Sequence, residues 1–141
     1  MRAVEGGPGH LGHRAVRRHH LALTGPVQAR TSLEATTATY TFCGHVHVPA
    51  LYCLSAAGKL VAHTPVSEVS VPVGSHRQWL AVIGSAGQPR DGNPAAAFAT
   101  FDTNSKILTF RRVPYDVDAQ AARVRRAGLP DVMAVRLLVG K

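Results

Sequence analysis

The chain has 141 residues, enough for one modest domain with a core and too few for two. Sixteen Lys and Arg against eight Asp and Glu give a formal charge of +8, which favours polyanionic partners such as phosphate esters or nucleic acid without choosing between them. Before Asp91 the only carboxylates are Glu5, Glu34 and Glu68, so chemistry that needs clustered acids is poorly supplied there.

Cys43 and Cys53 do not make a disulfide framework, and a reducing compartment is the simpler reading, although pairing across adjacent strands stays open. No apolar run reaches membrane-spanning length, and the Arg/His-rich start is not followed by an apolar signal core. The expectation is a cytoplasmic protein without a membrane partner.

Residues 1–30 lack a sustained hydrophobic period and read as a disordered basic segment ahead of a domain spanning 31–141. His10, His13, His19 and His20 lie in this segment without interleaved acids or cysteines, which favours a solvated tail over a metal tract. From Thr39 the texture becomes short β-rich runs: TYTFC, ALYCL, KLVAH, VSVPV, RQWLAVI, AAFATFD and ILTFRRV, divided by turn material such as SAAG, GSAGQPRDGNP and TNS. The runs flanking SAAG and TNS are spaced as hairpins. After Pro114 the pattern predicts a helix from Asp116 to Ala127, stopped by Gly128 and Pro130, and a second short helix over 131–140. Strands followed by two C-terminal helices describe an α/β (α+β) domain of layered type.

The stretch GHVHVP places His45 and His47 two residues apart at the end of an apolar strand. In an extended segment both imidazoles point to one side, with Gly44 allowing a sharp turn and Pro49 stiffening the exit. Neutral imidazole is a common ligand for first-row metals, yet an H-x-H pair alone also describes two solvent-facing strand histidines. In GSAGQPRDGNP the glycines permit close backbone approach, Ser85 offers a hydroxyl to a phosphate oxygen and Arg90 a planar cation; a local Arg90–Asp91 pair shaping a tight turn is the plainer alternative. The arginines of the C-terminal third are explained by solvated helix faces and by ion pairs with Asp116 and Asp118. No RRM, KH, zinc-finger or helix-turn-helix signature supports specific nucleic-acid binding.

Taken in order, GHVHVP, GSAGQPRDGNP, AAFATFDT and FRRVPYDV resemble the C-terminal half of calcineurin-like metallophosphoesterases, most closely the small bacterial branch. The resemblance covers about residues 31–141. It implies half of a metallophosphoesterase-type β-sandwich flanked by helices, phosphate ester substrates, and a dinuclear centre of manganese, iron or zinc in which His45 holds one ion and His47 the other.

The motifs that the resemblance places in the other half, D-x-H, G-D-x-x-D and G-N-H-[DE], do not occur here, and Val82-Ile83 stand where the family has Asn-Pro. The expectation is therefore a truncated chain, inactive alone, that binds metal weakly and self-associates through an uncovered sheet. The alternatives are a non-catalytic metal- or phosphate-binding module and a basic nucleic-acid-associated protein.

Overall fold

A computed structural model describes residues 23–141. Its elements are α1 (Pro26–Glu34), β1 (Tyr40–Cys43), β2 (Ala50–Ser55), β3 (Leu60–His63), β4 (Ser70–Pro72), β5 (Arg77–Val82), β6 (Ala96–Asp102), β7 (Ile107–Val113), α2 (Val117–Arg126) and α3 (Asp131–Val139). Four strands form one sheet in the order β1-β5-β2-β3, and three form a second in the order β4-β7-β6. The pair β1–β5 is parallel and the other pairs are antiparallel. Both expected hairpins, β2–β3 and β6–β7, are present.

The first sheet is covered on both faces, which explains why LYCL and WLAV read as continuous apolar runs rather than alternating ones. Successive side chains of β2 and β5 part company. Tyr52, Leu54, Leu80 and Val82 meet Leu23, Ala29 and Leu33 on one side, while Leu51, Cys53, Trp79 and Ala81 meet Leu108 and Phe110 of the second sheet on the other. Tyr40 and Phe42 of β1 extend the sandwich side by packing on Phe101, with ring centroids 4.7 and 5.6 Å away. The result is a two-sheet sandwich with α1 on its outer face.

Helix α1 begins inside the segment that sequence patterning sets apart as disordered. It has Pro26 in its first turn and no side-chain cap, and it buries only Ala29 and Leu33, so its apolar stripe is too thin to stand out. Gln78 of β5 closes its far end by donating to the carbonyls of Thr36 (2.8 Å) and Leu33 (3.3 Å). The folded unit therefore extends upstream of Thr31, and His10, His13, His19 and His20, expected in a solvated tail, lie outside the described residues.

The cysteines sit on opposite faces of the first sheet, with β5 between their strands, and both are free thiols. That arrangement rules out the cross-strand disulfide left open by the sequence. Burial pushes the Cys43 thiol up to about 12, leaving it a poor nucleophile.

The two C-terminal helices form as expected. The Asp116 carboxylate caps α2 by accepting from the Ala119 N–H at 2.8 Å, and Arg125 bonds Asp131 at 2.7 Å to join α2 to α3. The arginines are thus paired differently from the sequence expectation. Arg111 meets Glu68, Arg112 meets Asp91 and Arg125 meets Asp131, whereas Asp116 serves as a cap.

Gly140 ends α3 in the left-handed region, φ 64°. Its carbonyl accepts from the Gly92 N–H at 2.9 Å, and a Cβ at this position would lie 2.8 Å from the Asn93 backbone. Gly140→Ala should therefore destabilise the protein by about 2 kcal/mol in denaturant titration. A change under about 0.5 kcal/mol would show that α3 does not dock on this loop. Among the described residues no helix is long and apolar enough to cross a membrane.

Candidate functional site

Both loops that carry the candidate residues leave the carboxyl ends of the parallel pair, residues 44–49 after β1 and residues 83–95 after β5. Where parallel strands deliver two loops to one end of a sheet, ligands commonly bind. The loops are stitched together. The Arg90 N–H donates to the His47 carbonyl at 3.1 Å, and Gly84 lies against Pro49, so that a Cβ there would come within 3.0 Å of the proline ring and 3.1 Å of the Ala97 side chain. Gly84, at φ 92°, is required by that approach.

His45 and His47 lie beyond the end of β1, so their orientation does not come from strand alternation. Their backbones adopt φ 90° and 63°, in the left-handed region, while Gly44 does not. The sequence reading gave the turn to the glycine; the structure gives it to the two histidines. A non-glycine residue held there costs on the order of 1–3 kcal/mol and persists only where its surroundings fix it.

His45 is exposed and His47 half-buried. His47 Nδ1 lies 2.7 Å from the Gln88 carbonyl oxygen. A carbonyl only accepts, so Nδ1 carries the hydrogen and the lone pair of the neutral ring falls on Nε2, the atom left free to take a metal ion.

Ser85 and Arg90 occupy different settings. The Ser85 hydroxyl, half-buried, accepts from the Gln88 N–H at 2.9 Å and so shapes the turn that presents the Gln88 carbonyl. Arg90 is exposed and donates to the Gln88 side-chain oxygen at 2.9 Å, not to Asp91. Asp91 pairs with Arg112 instead, so the local Arg90–Asp91 pair is not formed. A cleft of ≈ 180 Å³ beside these loops is walled by Val48, Pro49, Phe98 and Phe110, with the Arg111 and Arg112 side chains at its polar side.

Among the described residues no group of three or more His, Cys, Asp and Glu side chains is placed to hold a metal ion. Two histidines, His45 and His47, do not by themselves complete a ligand set. Two neutral imidazoles add no negative charge to offset the repulsion of two adjacent cations, so a dinuclear centre needs further, anionic donors.

The fold has a solved counterpart. The crystal structure of a metallophosphoesterase from Sphaerobacter thermophilus superposes with a TM-score of 0.69 at 33% sequence identity, over 80% of this chain and 48% of that one. An uncharacterised protein of Methanocaldococcus jannaschii is 31% identical over 100 residues, 71% of this chain and 39% of that protein. No family model matches the chain.

The two-sheet sandwich is thus similar in fold to part of a metallophosphoesterase. The chain resembles the C-terminal half of a metallophosphoesterase and spans about half the length of the relatives it matches.

Proposed function

We propose that this chain supplies the histidine-bearing part of a phosphoesterase site. In this reading His45 and His47 each ligate a divalent ion (manganese, iron or zinc), and the remaining, anionic donors come from outside the described residues. The observation that carries it is the His47 ring, held by the Gln88 carbonyl on a strained backbone with Nε2 left free. A bound divalent ion supplies Lewis acidity towards a phosphoryl oxygen. The chain's own groups ligate, fix ring orientation and, through the exposed Arg90 guanidinium, attract the phosphate ester. The free thiols of Cys43 and Cys53 suit a reducing compartment, in keeping with a cytoplasmic setting.

The lack of a third donor among the described residues favours a second reading for the chain by itself: metal and phosphate binding without turnover. Zinc or manganese titration of the 141-residue chain should then show one weak site, micromolar at best, weakened further by His47→Ala. Nanomolar binding of two ions per chain would overturn this account.

The sheet itself adds a consequence. β1 is an edge strand whose far side is unpaired among the described residues, and the Thr41 hydroxyl on it is buried without a partner. Such an edge invites pairing, so light scattering should detect dimers or larger species, and a monodisperse monomer would contradict that.

A further inference from the structure

Arg112 is the least exposed arginine in any ion pair of the described residues, with 11% of its side chain accessible. It projects from β7, level with Ala97 of β6, and its guanidinium reaches three groups on the loop between β5 and β6. These are the Asp91 carboxylate, the Ala95 carbonyl at 2.8 Å and the Asn93 carbonyl at 3.4 Å. A planar fork with five N–H donors can hold a carboxylate and two carbonyls together, and a lysine ammonium on its flexible stem cannot reproduce that geometry.

The upstream limb of the same loop holds His47. Gln88 accepts from its ring and Arg90 donates to its carbonyl, so both the ring and the left-handed backbone of His47 depend on where the loop sits.

We propose that Arg112 is a positioning residue for His47: by pinning residues 91–95 it holds the Gln88 carbonyl against Nδ1 and keeps Nε2 free. Its relevance to metal binding rests on the reading of His47 as a ligand given above. Release of the pin lets the loop relax, the ring loses its fixed acceptor, and the proton distributes over both ring nitrogens. Partners of this kind, acting behind a ligating histidine, typically alter metal affinity by roughly 10- to 100-fold. The adjacent Arg111 is an internal control, because its guanidinium donates to Glu68 at 2.6 Å while the bonds to residues 91–95 are made by Arg112.

The test is long-range ¹H–¹⁵N NMR of the histidine rings in the full chain without metal, at a pH where they are neutral, followed by zinc titration. Wild-type His47 should show the Nδ1–H signature. Arg112→Gln should move its ring nitrogens towards averaged shifts and weaken zinc about tenfold, while Arg111→Gln should match wild type in both.

An Nδ1–H signature and zinc affinity unchanged in folded Arg112→Gln would overturn the proposal, as would an equal shift in Arg111→Gln. If the amide spectrum shows Arg112→Gln to be unfolded, Arg112→Lys decides. A partial shift is expected, and an unchanged ring signature overturns the proposal. Zinc that leaves the His45 and His47 signals untouched in wild type would sink the ligand assignment, and the metal-free tautomer would still decide the role of Arg112.

Discussion

His47→Ala, and equally His45→Ala, should abolish metal-dependent hydrolysis of a simple aryl phosphodiester once the domain is completed. Completion means supplying the other half of the domain from a full-length metallophosphoesterase, as a separate chain or as a fusion, with manganese present. The junction belongs ahead of Leu23, because Leu23, Ala29 and Leu33 form part of the core beneath α1 and a junction at Thr31 would remove most of it. Charge stabilisation by a correctly held ion is worth several kcal/mol, so loss of one ligand should lower the rate by at least about 10³-fold. His45→Ala should keep its unfolding midpoint because His45 is exposed, whereas His47→Ala should lower it modestly by removing the bond to the Gln88 carbonyl, worth about 1 kcal/mol. Turnover that survives both substitutions would place the chemistry elsewhere.

Leu80→Ala should be among the most destabilising single substitutions, costing about 2–5 kcal/mol. Leu80 is 0% exposed, lies on β5 between β1 and β2, and packs in the cluster that includes Leu33, Tyr52 and Val82. Deleting its side chain leaves a cavity bounded by a sheet on one side and a helix on the other, which cannot collapse without moving one of them. The unfolding midpoint should fall on the order of 10 °C. Val27→Ala, on α1 but 74% exposed, should change stability by less than about 0.5 kcal/mol. A Leu80→Ala cost below about 1 kcal/mol would mean that α1 does not close this core.

Local signals in the sequence carried much of this structure. The turns SAAG and TNS mark hairpins by chemistry confined to a few residues, and Asp116 and Gly140 bound the last two helices in the same way. Features decided by distant parts of the chain were less legible. α1 has only Ala29 and Leu33 as its buried stripe and draws its stability from the sheet beneath, so residues 23–30 looked patternless.

The backbone conformation of His45 and His47 had no local marker, because the neighbouring glycine absorbed the expectation of a turn. Arg112 and Asp91 are separated by 21 positions and meet only because β6 and β7 are paired. In the same way the alignment of the β1 and β5 loops follows from the strand order β1-β5-β2-β3, a non-local arrangement that no single stretch encodes. Ser85 was legible as a loop residue, but its bond to the Gln88 N–H emerged only from the folded turn.

The central claim is that His45 and His47 ligate metal, and anomalous diffraction from the completed domain loaded with manganese tests it most directly. The account predicts ions bound to both rings, with His47 ligating through Nε2 while Nδ1 keeps its bond to the Gln88 carbonyl. Anomalous peaks distant from both histidines, or a His47 ring that has turned to ligate through Nδ1, would contradict it.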